Sequence, residues 1–163
     1  MPTEIERKFL VLSDAWRAAT RRRELYRQGY LSSGEACSVR VRVGGESAWL
    51  GLKGRVDGAT RLEYEYPIPL AEAHEILDSL CMHGRVEKVR HWVPHEGHEW
   101  EVDEFLGANQ GLVVAELELD AEDEPYARPE WLGLEVTHDV RYFNSQLARQ
   151  PWRSWPGRDG SRA

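Results

Sequence analysis

The chain has 163 residues, 41% hydrophobic and 30% charged, with 21 Lys and Arg against 28 Asp and Glu and a net charge of −7. That length suits one domain with a sizeable core, and the composition excludes a disordered chain and a spanning helix, which needs roughly 18 consecutive apolar residues. The acidic balance argues against a nucleic-acid partner. The opening stretch MPTEIERKFLV has no signal-peptide pattern, and Cys37 and Cys81 fit no metal or redox spacing. A cytoplasmic protein with reduced thiols and no membrane contact is therefore expected.

The dominant period is two. In residues 3–11, Glu4, Glu6 and Lys8 share one parity and Ile5, Phe9 and Val11 the other, with Arg7 the one break on the apolar side. Residues 26–31 are a second strand candidate, with Gln28 and Tyr30 on one parity. Residues 38–43 set Arg40 and Arg42 against Val39, Val41 and Val43, and Gly44-Gly45 predicts a two-residue hairpin turn. Residues 47–53 return with Leu50 and Leu52 on one face and Lys53 on the other, and 54–60 read as a loop. Residues 61–68 place Arg61, Glu63 and Glu65 opposite Leu62, Tyr64 and Tyr66.

The period then changes. Residues 71–83 put Ala73, Ile76, Leu77, Leu80 and Cys81 at helical spacing, and Gly84 ends the helix. Residues 85–93 form a strand with Lys88 and Arg90 on one face, and 94–97 a turn. Residues 98–105 carry Glu99, Glu101 and Asp103 opposite Trp100 and Val102, and 112–119 carry Glu116 and Glu118 opposite Ala115, Leu117 and Leu119. Asn144 predicts the cap of a short helix running to about Arg149. Residues 1–150 make one domain, and 151–163, rich in Gly, Pro, Arg and Ser, are expected to fray.

About eight adjacent strands joined by turns predict an α+β fold, an eight-stranded antiparallel β-barrel with helices packed outside. A single E-x-E or R-x-R pair reads as a solvated face. Here the charged parity recurs on most strands and is sorted: bases on some, acids on others, both on the first. The opposite parity is apolar and must be covered, which turns the charged parity inward. A barrel of this size can hold one small ligand. A charged lining is costly unless water, ions or a charged ligand share the space.

The proposed lining has eight acids (Glu4, Glu6, Glu63, Glu65, Glu101, Asp103, Glu116 and Glu118) and seven bases (Lys8, Arg40, Arg42, Lys53, Arg61, Lys88 and Arg90), a net of −1. Two divalent cations would bring it to +3, close to the roughly −4 of a triphosphate. Paired carboxylates suit Mg²⁺ or Mn²⁺, and arginines suit bidentate contact with phosphate oxygens. Together these point to metal-assisted phosphoryl chemistry.

The segment Glu4-Ile5-Glu6-Arg7-Lys8 resembles the N-terminal E-x-E-x-K signature of the CYTH superfamily, the triphosphate tunnel metalloenzymes. Arg40-x-Arg42, Lys53, Glu63-x-Glu65, Lys88-x-Arg90, Glu101-x-Asp103 and Glu116-x-Glu118 follow in that family's order. Glu135-Val136-Thr137 through Asp139, Arg141, Tyr142 and Asn144 resembles its C-terminal end. The resemblance covers residues 3–149 and is closest to the short bacterial members. It implies a tunnel that binds a triphosphate-containing small molecule and a divalent metal. Glu4, Glu6 and Glu118 would hold one metal. Glu63, Asp103 and Glu116 would serve a second or order water. Lys8, Arg40, Arg42, Lys53, Lys88 and Arg90 would hold the phosphate chain, with Arg61 beside them. Lys8, Glu63 and Lys88 would take part in catalysis. Glu65 and Glu101 read either as ligands or as acids that orient bases.

The implied activity is hydrolysis of inorganic tripolyphosphate by water attack on a terminal phosphorus. The alternatives are a cyclase making cyclic AMP from ATP, a thiamine or nucleoside triphosphatase, and a polyphosphate-binding module without turnover. The intact acids argue against the last. His91, His95 and His98 read as a surface hairpin and Arg21–Arg23 as a solvated run. Trp131, Trp152 and Trp155 fit either barrel packing or an oligomer surface, such as that of a homodimer.

Overall fold

The structure is a computed structural model that describes residues 2–81 and 84–157. Nine strands follow one another as β1 (Thr3–Val11), β2 (Arg22–Ser33), β3 (Cys37–Gly44), β4 (Ser47–Gly54), β5 (Thr60–Pro67), β6 (Arg85–His95), β7 (His98–Phe105), β8 (Val113–Glu118) and β9 (Leu132–Glu135). Helix α1 (Leu70–Ser79) lies between β5 and β6, and α2 (Asn144–Arg149) follows β9. The sheet order is β5-β4-β3-β2-β6-β7-β8-β1-β9, and β1 also pairs with β5. Eight antiparallel strands thus close into a barrel with two helices packed outside. The closing seam is short: Thr3, Glu4 and Ile5 face Leu62, Arg61 and Thr60. Beyond it β1 turns to β9, Phe9 opposite Glu135 and Val11 opposite Leu132.

The tight turns differ by a residue from their expected places. Gly44 pairs with Ser47, so the first two-residue turn is Gly45-Glu46, with Gly45 at φ 59°. At Gly44, still in the strand, the Tyr26 ring occupies the space a Cβ would need. The β6–β7 hairpin turns on Glu96-Gly97, both at positive φ, and Pro94 is a strand residue opposite Glu99. β2 begins at Arg22, earlier than its apolar pattern suggests. Backbone pairing with β6 carries it through the arginine run, and Arg22 stacks 3.8 Å from the Trp92 ring centroid.

Helix α1 buries Ala73 and Leu77 against Val41, Val43 and Ala48. It ends at Ser79, short of the expected 83. Arg85 donates to the Leu77 carbonyl, one of the groups a helix end leaves open. Met82 and His83, the last of the predicted helix, lie outside the described residues.

The outward face of β1, β7 and β8 is covered by irregular chain, not by helix. Phe9, Trp100, Val102 and Leu117 pack with Trp16, from a 3-10 turn at Ala15–Ala19, and with Trp131 and Leu132. The Trp100 ring meets Phe9 at 5.5 Å and Trp131 at 5.8 Å, both edge to face. Each such buried side chain contributes about 1.5–3 kcal/mol. His91, expected on the surface, is buried edge-on to Trp16 at 4.7 Å.

A further apolar group joins Leu10, Val86, Phe105 and Val114 to Val136, Tyr142, Leu147 and Trp152. Those four strand residues share parity with Lys8, Lys88, Asp103 and Glu116. The inward face is therefore apolar toward one end of the barrel, where α2 packs on β2 and β6. Trp152 is buried here and Trp155 packs on Tyr142 at 5.1 Å, so ordered packing continues past Pro151 instead of fraying there. Residues 158–163 of the expected tail lie outside the described residues. Trp131 and Trp152 serve the chain's own core.

Candidate active site

All eight barrel strands and the start of α2 line one cavity of about 210 Å³. β1 contributes Glu4, Glu6 and Lys8; β3 Arg40 and Arg42; β4 Lys53; β5 Arg61, Glu63 and Glu65. β6 contributes Lys88 and Arg90, β7 Glu101, and β8 Glu116 and Glu118. The lining thus holds seven carboxylates and seven bases, a formal balance of zero.

The expected eighth acid, Asp103, does not line the cavity. It is fully buried behind it, where Arg90 Nε donates to Oδ1 at 2.8 Å, Arg90 Nη2 to Oδ2 at 2.9 Å, and Lys88 Nζ to Oδ2 at 2.7 Å. Burial alone would raise its carboxyl; Arg90 and Lys88 hold it below the usual range. Both oxygens are taken, which leaves Asp103 holding bases and not facing a ligand.

Register explains the rest. Lys8 stands opposite Glu116, and Glu6 opposite Glu118, across β1–β8. Lys53 stands opposite Glu63. Lys53 Nζ lies 2.9 Å from Glu4 and 3.3 Å from Glu63, and Arg61 lies 3.5 Å from Glu4. Against the effect of burial, Lys53 and Arg61 bring the Glu4 carboxyl down to about 2. Glu116 meets Arg90 at 3.2 Å and Lys8 at 3.7 Å, and is likewise held well below the carboxylate range despite its burial. Glu65 and Glu101 both meet bases, Arg40 at 3.5 Å and Arg90 at 2.9 Å.

Four side chains are instead shifted toward their neutral forms. Burial, with Glu116 and Glu4 beside it, pushes the Glu6 carboxyl well above its ordinary value. Glu118 is raised by partial burial and by Glu4, Glu101 and Glu63. Among the described residues neither Glu6 nor Glu118 forms an ion pair. Lys88 is brought down to about 7, first by burial, with Asp103 opposing and Arg90 adding to the fall. Arg42, buried and next to Arg40 and Arg90, falls to about 10.

The CYTH domain model matches residues 2–150. An inorganic triphosphatase of Acetivibrio thermocellus is 48% identical over 155 residues, 95% of this chain and 99% of that protein. One of Nitrosomonas europaea is 37% identical over 155 residues, 90% and 97% of the two chains. The crystal structure of an inorganic triphosphatase superposes with a TM-score of 0.66 at 33% identity, covering 91% of this chain and 96% of that one.

This chain belongs to the CYTH family.

The charged CYTH lining was legible in the strand parities. The cavity also meets Tyr26, Tyr30, Ser38, Phe143, Asn144 and Ser145. Asn144 does not cap α2. Phe143 holds the cap position, and no side chain bonds there. The Asn144 amide oxygen instead accepts from Lys88 Nζ at 2.8 Å and Gln28 Nε2 at 3.3 Å. Thr137 ties the C-terminal segment to the site by accepting from the Lys8 backbone N–H at 3.0 Å.

The donor chemistry of this CYTH cavity fits a hard cation. Glu6, hydrogen-bonded to Glu4, and Glu118 are oxygen donors without an ion pair among the described residues; burial and the neighbouring carboxylates raise both, and added positive charge would relieve the repulsion. Among the described residues no three His, Cys, Asp or Glu side chains already form a ready-made metal cage. The remaining acids are turned toward their bases.

Proposed function

We propose that this protein hydrolyses inorganic tripolyphosphate to pyrophosphate and phosphate inside its barrel. The observation that carries this reading is the convergence of seven bases on one cavity beside two carboxylates without ion-pair partners. The named activity of the two relatives supports it.

Arg40, Arg42, Arg61, Lys53, Lys8 and Arg90, which line the cavity, would hold the phosphate oxygens, the arginines by paired N–H groups. Glu4, Glu6 and Glu118 would hold a divalent cation, Mg²⁺ or Mn²⁺, and Glu63 and Glu116 would serve a second or orient water. When bound, the cation neutralises negative charge on the phosphate oxygens. Lys88, with its proton affinity near neutrality, suits a general base. The water oxygen bonds to the terminal phosphorus and its proton passes to the Lys88 amine. The bridging P–O bond breaks with its electron pair on pyrophosphate, which takes the proton back as it leaves.

Phosphate release from tripolyphosphate, ATP and thiamine triphosphate, each with Mg²⁺ and with Mn²⁺, tests the reading, with cyclic AMP formation from ATP followed alongside. Fastest metal-dependent release from tripolyphosphate is expected. Cyclic AMP as the main product, or no release from tripolyphosphate, overturns it.

A further inference from the structure

Lys88 is buried to 1% exposure, and its Nζ has two hydrogen-bond partners, Asp103 Oδ2 at 2.7 Å and Asn144 Oδ1 at 2.8 Å. Both are acceptors. A neutral amine carries two N–H donors and one lone pair. In the amine form, with both donors taken, the lone pair is left for the cavity that Lys88 lines.

The orientation of the Asn144 amide is fixed by chemistry. Gln28 Nε2 also donates to its oxygen, so two donors face one acceptor and the amide cannot flip without losing both. Gln28 is itself 1% exposed and held in turn: its Nε2 also donates to the Tyr30 hydroxyl at 2.9 Å, and its Oε1 accepts from Arg42 Nε at 3.0 Å. Asn144 opens α2, which Leu147, fully buried, and the neighbouring Trp152 anchor in the apolar end of the barrel. A short helix with no catalytic groups thereby reaches the site through one amide.

We propose that Asn144, braced by Gln28, is a positioning residue that shares the N–H groups of Lys88 with Asp103 and so turns its lone pair toward the attacking water. The inference rests on the reading of Lys88 as the base. Arg90, Glu116 and Arg42 also act on Lys88, and the Phe105 ring lies 5.6 Å from its Nζ. These set its charge. Asn144 is neutral and sets direction.

A double-mutant cycle tests the proposal. Phosphate release is measured for wild type, Asn144→Ala, Lys88→Met and the double variant, with thermal unfolding confirming the fold. Should Asn144→Ala not fold, Asn144→Leu, which keeps the volume and removes the acceptor, takes its place. Asn144→Ala should lower kcat about tenfold to a hundredfold, as for a lost hydrogen bond to a reacting group, with KM changed less than about threefold. The double variant should be no slower than Lys88→Met. Reductions that multiply, or a kcat of wild-type size in Asn144→Ala, overturn the proposal. A second readout needs no turnover: nitrogen-15 spectra of the lysine side chains should show the Lys88 protons exchanging at least about tenfold faster in Asn144→Ala. Unchanged exchange contradicts the proposal. A wild type inert toward tripolyphosphate contradicts the functional reading, while the exchange measurement still decides the role of Asn144.

Discussion

Arg90 on β6 grips Asp103 on β7 through two hydrogen bonds, 2.8 and 2.9 Å, directly across the strand ladder. The pair is closed off from solvent, and Lys88 completes it. Asp103 therefore fixes two of the bases that line the cavity. Replacing it with Ala leaves the buried Arg90 guanidinium without its closest counter-ion and Lys88 without an acceptor, which should cost about 3–5 kcal/mol of stability. Denaturant unfolding measures this. Unchanged stability, with activity restored by excess divalent ion, would return Asp103 to the role of a metal ligand.

Glu6 should behave in the opposite way. Its carboxyl is raised by burial and by Glu116 and Glu4, so in the ion-free protein its charge is a burden. Glu6→Gln keeps the shape and removes the repulsion. We expect thermal stability without divalent ions to stay level or rise, while phosphate release falls by at least about a hundredfold. A variant that unfolds early, or stays active, would contradict this assignment.

The raised carboxyls of Glu6 and Glu118 also give a sign for pH. Their folded-state affinity for protons exceeds the unfolded value of 4.5, so their contribution to ion-free stability is lost as pH climbs above that value. Ion binding must displace those protons. Stabilisation by Mg²⁺ or Mn²⁺, read as a shift in melting temperature, should grow between about pH 5 and about pH 8. Equal shifts at both would show that these carboxyls do not receive the ion.

Much of this site was legible in the sequence because strand parity is a binary signal. Glu4, Glu6 and Lys8 share a face in any β-strand, and pairing β1 with β8 then fixes Lys8 against Glu116. What parity cannot show is depth along the barrel. Asp103 has the same parity as Glu101, yet one is saturated by bases and the other faces the cavity. Phe105, two residues on, has that parity and is core. Asn144 was hidden for another reason. At the start of a helix it carries the usual signature of a cap, and only the placement of α2 against β2 and β6 reveals its partner. β9 is four residues long and pairs with β1, too short for its period to stand out.

Lys88 should leave its mark on the pH profile. Burial, augmented by Arg90 and opposed by Asp103, places it at about 7, so the amine form becomes available as pH rises through that point. For the free protein, kcat/KM should therefore climb through about pH 7 and then level. Lys88→Arg keeps the charge but cannot give up its proton, and should be slow, by about a hundredfold or more, with no such rise. A Lys88→Arg variant with the wild-type profile would remove Lys88 from the proton transfer.

The central claim is that the barrel turns over a triphosphate through its own sorted lining and a divalent ion. Its most direct measurement is the rate of phosphate release from tripolyphosphate by wild type and Glu6→Gln, with Mg²⁺ and with a chelator. The account predicts rapid release by wild type with Mg²⁺, and loss of that release with either the chelator or the substitution. Release that survives the chelator, or that Glu6→Gln sustains at the wild-type rate, would contradict it.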